Sequence, residues 1–95
     1  MNKEIIEKLR ELKPILKERY GIEEFAVFGS VVKGCDREDS DIDIAILKDN
    51  KKSFFILLKA KNFLEKHFNK HIDIGDFESM KTFIKNRIKK DFIYV

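Results

Sequence analysis

Three aspartates set the chemical question. Asp41 and Asp43 stand two apart at the start of the apolar run DIDIAIL, residues 41–47, and Asp73 sits inside a second run, HIDIGDF, residues 71–77. Successive side chains of a strand point to opposite faces. Asp41 and Asp43 therefore leave one face while Ile42 and Ile44 enter the core on the other, and Asp73 is likewise opposed to Ile72 and Ile74. If the two strands lie side by side, three carboxylates converge. Like charges so placed raise the pKa of at least one of them, and a divalent cation removes the penalty by supplying the missing positive charge. An all-oxygen ligand set selects a hard ion, Mg2+ or Mn2+, over zinc.

The stretch VFGSVVKG, residues 27–34, supplies the other half of a site. An apolar strand ends at Gly29, where the missing side chain lets backbone approach a ligand closely, and Ser30 adds a hydroxyl and stands where it would cap a short helix. The amides that follow point at an anion, and Gly34 closes the loop. Anion binding on one side and a metal on the other suggest a metal-bound nucleoside triphosphate.

Those residues need strands and a core to hold them. Residues 3–20 place Ile5, Ile6, Leu9, Leu12, Ile15, Leu16 and Tyr20 on a helical stripe that stops at Gly21. Pro14 interrupts the stripe, so the helix kinks there or a second one begins near Lys13. Residues 25–28 and 42–47 read as short strands, with Asp49-Asn50 as the turn that leaves the second. The run SFFILLKAKNFLEKHF, residues 53–68, reads as a mostly buried helix opened by Ser53, and residues 71–77 form a third strand. A closing helix over residues 78–91 carries Met80, Phe83, Ile84 and Ile88 on one face, followed by an apolar tail at residues 92–95. The fold expected is α/β (α+β): a short mixed sheet of three or more strands carrying the aspartates, backed by helices on its other face.

At 95 residues the chain is read as one domain, residues 1–95, too short to add a separate substrate domain, so an acceptor must come from outside. A net charge of +3, from 20 basic and 17 acidic residues, speaks against nucleic acid as a direct ligand. No apolar run approaches the roughly 20 residues that cross a bilayer. A lone cysteine, Cys35, and a charged amphipathic start point to the cytoplasm, with Cys35 a bystander thiol.

Other patterns at the same residues fail on spacing. Asp39, Asp41 and Asp43 imitate the start of a calcium loop, but its sixth and twelfth positions, glycine and glutamate, are here Ile44 and Asn50. GSVVKG has the four residues between its glycines that a P-loop requires, but Cys35 stands where the lysine must follow the second glycine. Asp36, Glu38 and Asp39 read as a solvated loop, and Asp76, after Gly75, as a turn or cap. His67 and His71 are four apart, but Asn69 ends the helix between them, so both read as surface histidines. Lys81, Lys85, Arg87, Lys89 and Lys90 form a solvated helix face, and Phe54, Phe55, Phe63, Phe68 and Phe83 read as core, with some available for docking a partner.

Gly29-Ser30, three intervening residues, Gly34, then Ser40-Asp41-Ile42-Asp43 resemble the signature of the DNA polymerase beta-type nucleotidyltransferase superfamily. The size and the later carboxylate are similar to its minimal branch, the MntA-like antitoxins paired with HEPN-domain toxins. The resemblance implies that Asp41 and Asp43 hold two Mg2+ ions and that Asp73 completes the ligand set facing the acceptor. It places Gly29 and Ser30 on the β and γ phosphates, with Lys33, Gly34 and Ser40 as further nucleotide-binding residues. Lys33 stands where the family often has arginine, and it offers a point charge rather than a bidentate grip. ATP as donor and a tyrosine hydroxyl of a HEPN toxin as acceptor follow from the resemblance alone. The alternatives are a non-catalytic antitoxin acting by occlusion, and nucleotidyl transfer to a small molecule.

Overall fold

The computed structural model describes residues 2–34, 41–51 and 53–95. Asn2 opens the first helix, its side chain accepting the Ile5 N–H at 3.3 Å, and Gly21 closes it in the left-handed conformation. This helix, α1 (Lys3–Tyr20), runs unbroken through Pro14. The missing proline N–H costs one intrahelical bond, and the buried stripe of Ile5, Ile6, Leu9, Leu12 and Leu16 holds the helix to the sheet on both sides of it. Ile15, expected on that stripe, is partly exposed.

Four strands form one mixed sheet in the order β3-β2-β1-β4. β1 (Ile22–Phe28) pairs antiparallel with β2 (Ile42–Asp49), and β2 pairs parallel with β3 (Ile72–Asp76). The apolar tail is not free: Ile93 and Tyr94 form β4, antiparallel to Val27 and Ala26 of β1. α1 and α3 (Phe54–Phe68) cover one face, burying Phe25, Val27, Ile42, Ile44, Ile46 and Ile72 against Leu9, Leu16, Ala60 and Leu64.

Two helical expectations change. Ser53 caps α3 as expected, its Oγ accepting the Ile56 N–H at 3.4 Å, but only Ala60 and Leu64 of this helix are fully buried. A sheet this narrow covers one stripe of a helix, leaving Phe54 and Phe55 at 74% and 66% exposure, while Phe63 and Phe68 reach the core edge. The closing helix is shorter than residues 78–91. A 3-10 turn over Phe77–Ser79, held by Ser79 Oγ donating to Asp76 Oδ2 at 2.9 Å, precedes α4 (Thr82–Lys89), and Phe83 points to solvent. Asp76 thus ends β3 and caps that turn.

The face that carries the aspartates is covered over most of its area. Ala26, Ala45 and Gly75 lie side by side across three strands, and both alanines are fully buried. Met80 sits over Gly75, and Phe92 packs in tilted and edge-on contacts with Phe28, Phe77 and Tyr94 at ring distances of 5.2–6.0 Å. Small side chains beneath and aromatic ones above make a second, thinner layer.

Candidate active site

The parallel register sets Asp43 directly beside Asp73, and one step earlier the strands meet where the Ile42 N–H donates to the His71 carbonyl at 3.0 Å. Strand alternation then puts Asp41, Asp43, His71 and Asp73 on one face, opposed to Ile42, Ile44 and Ile72 in the core. On the other side of β2, Phe28 pairs with Asp43, and β1 ends there. Convergence of the three aspartates follows the expectation.

Gly29 makes the turn that brings the loop to them. Its φ of 79 and ψ of −148 lie in a region that side chains avoid, and a Cβ there would collide with Asp43 Oδ2 and stand 3.2 Å from its Cγ. Backbone and carboxylate are therefore in direct contact, which no other residue type permits. α2 (Ser30–Lys33) follows, one turn long. Its cap is Gly29 and not Ser30, which occupies the first helical position, half-buried, with its hydroxyl free of any capping role. The Val32 and Lys33 N–H groups both reach back to the Gly29 carbonyl at 3.1 Å. Gly34, in the left-handed conformation, closes the turn by donating to the Ser30 carbonyl at 3.0 Å.

Lys33 is not aimed at the carboxylates. Its Nζ lies 3.4 Å from Asp91 Oδ2, tying α2 to the segment that leads into β4. Both groups are partly exposed, so the pair is weak and the lysine is free to swing. Ser40, Cys35, Asp36, Glu38 and Asp39 lie outside the described residues.

Burial, repulsion from Asp73 and Asp41, and a hydrogen bond shared with Asp73 push the Asp43 carboxyl up to about 6 from an ordinary 3.8, against a lowering pull from His71. A carboxylate whose ionisation is opposed by burial and by its neighbours is one that a cation would stabilise. The folded protein binds this proton more tightly than the unfolded chain. Stability is therefore lost as pH rises from about 4 to about 6, and the penalty is present in full above that. The site is half open, so solvent screening limits the penalty to ~1 kcal/mol. In urea unfolding with a chelator, wild type is expected to lose ~1 kcal/mol relative to Asp43→Asn between pH 4 and 7, and a parallel pair of curves would contradict the assignment.

His71 is the residue that the sequence reading set aside. Its Nδ1 lies 3.3 Å from Asp41 Oδ2 and 4.0 Å from Asp73 Oδ1, and its Nε2 lies 3.8 Å from Glu65 Oε2. The signal was present in HID: two residues apart on a strand, His71 and Asp73 share a face. Helical spacing pairs His71 instead with His67, which is exposed on α3.

A glycine-serine turn pressed against a carboxylate cluster, on a small mixed sheet, is the architecture of an enzyme that transfers nucleotidyl groups. The chain belongs to the family described as Polymerase beta, Nucleotidyltransferase, whose model matches residues 10–95. It is 39% identical to "Putative protein adenylyltransferase MJ1379" of Methanocaldococcus jannaschii, over 97% of this chain and 95% of that one. It is 32% identical to "Protein adenylyltransferase MntA" of Thermococcus cleftensis, over 84% and 81%. Its fold is similar to that of a solved toxin-antitoxin structure with AMP-PNP, at a TM-score of 0.75 and 20% identity, covering 90% of this chain and 69% of that one. Among the described residues no helix is long and apolar enough to cross a membrane.

Proposed function

We propose that the chain is a protein adenylyltransferase of antitoxin type, which moves AMP from ATP to a tyrosine hydroxyl of a HEPN-type toxin and thereby silences it. The observation that carries the reading is the contact between Gly29 and the Asp43 carboxylate, with Asp73 alongside. It brings a backbone able to receive phosphates against a carboxylate set able to hold cations. The names of the relatives support the adenylyl group and a protein acceptor, and the similar toxin-antitoxin fold supports the kind of partner.

The donor set fits divalent metal: Asp41, Asp43 and Asp73 offer oxygen ligands, and Asp43 is held protonated up to about 6 for want of a counter-charge. Asp41 and Asp43 would hold two Mg2+ ions, and Asp73 would join them on the acceptor side. Bound there, the metal neutralises the triphosphate and makes the acceptor hydroxyl a better nucleophile. Gly29 backbone and the Ser30 hydroxyl hold the β and γ phosphates, with Gly34 and Ser40 as further nucleotide-binding residues. Lys33 leaves Asp91 for a phosphate oxygen. The acceptor oxygen forms its bond to the α-phosphorus as the bond to the β-phosphate breaks, and pyrophosphate leaves in line. The carboxylates must be ionised to hold the cations, so metal binding competes with the proton on Asp43.

The test is transfer of label from ATP carrying 32P at the α-phosphate. Incubation of the protein with its co-purified partner and Mg2+ is expected to label the partner, and a chelator or Asp41→Asn to abolish the label. Label carried instead by ATP's γ-phosphate would contradict the reading. A stable complex without transfer would favour occlusion.

A further inference from the structure

Four groups near the start of β3 form a chain that a set of three aspartates does not require. His71 turns its Nδ1 to Asp41 and Asp73, at 3.3 and 4.0 Å, and its Nε2 to Glu65, at 3.8 Å. Glu65 reaches across from α3 and is itself fixed, because its Oε2 accepts the Ile72 N–H at 3.0 Å. One donor atom each from Asp41, His71 and Asp73 falls within 4.8 Å of the others.

Those separations suit coordination. Donors around an octahedral dication with bonds of about 2.1 Å stand about 3 Å apart when adjacent and about 4.2 Å apart when opposite. The two distances from Nδ1 approach these values before any metal draws the ligands in. An Nδ1 ligand must carry its proton on Nε2, the nitrogen that faces Glu65. A carboxylate behind a ligating histidine holds the ring orientation and makes the imidazole a stronger donor. Only half of the imidazole is exposed, enough to admit an ion from solvent.

We propose that His71 is a metal ligand together with Asp41 and Asp73, oriented by Glu65, so that this site takes a first-row transition dication such as Mn2+ in preference to Mg2+. The proposal rests on the reading of the aspartates as a metal site and adds a nitrogen to it. A nitrogen donor raises affinity for transition dications, whereas Mg2+ gains little by giving up a water for imidazole. Position matters as much as type. His71 precedes β3, two residues before Asp73, where the strand delivers its side chain to the same face without help from a flexible loop.

The test uses the full chain without nucleotide and Mn2+ as the paramagnetic probe. Pulsed EPR of the Mn2+-loaded protein is expected to show coupling to a histidine nitrogen, which His71→Gln removes and His67→Gln leaves in place. Competition titrations are expected to show the preference for Mn2+ over Mg2+ falling about tenfold in His71→Gln. Glu65→Gln, which keeps an oxygen for the Ile72 N–H, should retain the coupling and bind Mn2+ about tenfold more weakly. Mn2+ bound by wild type without nitrogen coupling, or with coupling that survives in His71→Gln, would overturn the proposal and leave the aspartate site standing. Failure of wild type to bind Mn2+ at all would overturn both.

Discussion

Replacing Asp43 by asparagine is expected to remove nucleotidyl transfer, by about 10^3-fold or more, while leaving a protein that folds at least as well as wild type. The two effects have one cause. Asp43 is the most confined of the three carboxylates: its neighbours on either side are Asp73 and Phe28, and Gly29 presses on its oxygen. Ionised without a cation, it is a liability to the fold. Asparagine keeps the shape and removes the charge, so the metal-free protein gains what the carboxylate cost, while the metal loses a ligand whose contribution is several kcal/mol at the transition state. A variant that loses activity because it misfolds would show the opposite stability change. The checks are the initial rate of AMP incorporation into the partner and the urea midpoint of the free protein, measured on one preparation. Retained transfer would show that the catalytic carboxylates lie elsewhere.

Gly29→Ala is expected to impair folding and transfer together. At φ 79 and ψ −148 an alanine is strained by ~1–3 kcal/mol wherever it sits, and here its methyl would also meet the Asp43 carboxylate. Relief requires either the turn into α2 or the aspartate to move. On the proposed reading, either movement separates the backbone that would receive phosphates from the oxygens that would hold metal, and misplacement by about 1 Å costs ~10^2-fold in rate. The double variant Gly29→Ala with Asp43→Gly separates the two terms, since it removes the obstacle and leaves only the backbone strain. Its stability should recover part of the loss, and its activity should not. A Gly29→Ala protein with wild-type stability and rate would mean that the turn can relax without disturbing the site.

What the sequence reveals here depends on how local the cause is. The convergence of Asp41, Asp43 and Asp73 follows from strand alternation and one assumption, that the third strand lies beside the second, and the register of Asp43 with Asp73 bears it out. The glycine at 29 was legible as a close approach to something. That it approaches Asp43 as well as any ligand is a tertiary fact, invisible until β1 and β2 are paired. His71 is exposed, as expected of a surface histidine, but its neighbours are Asp41 and Asp73 on the same strand face, which helical spacing against His67 does not reveal. A two-residue strand such as Ile93–Tyr94 has no period to detect, and its place beside β1 comes from the edge it covers. For Phe54 and Phe55 the helical spacing was right and the burial was not, because periodicity identifies a helix without measuring the width of the sheet beneath it.

The measurement that tests the account most directly is the intact mass of the proposed toxin partner, co-purified with this protein, before and after incubation with ATP and a divalent cation. The account predicts a gain of one or more AMP residues on the toxin with wild type and none with Asp43→Asn, although the variant still binds it. A toxin neutralised by wild type at unchanged mass would contradict the enzymatic reading, and equal mass gains with wild type and variant would contradict the site.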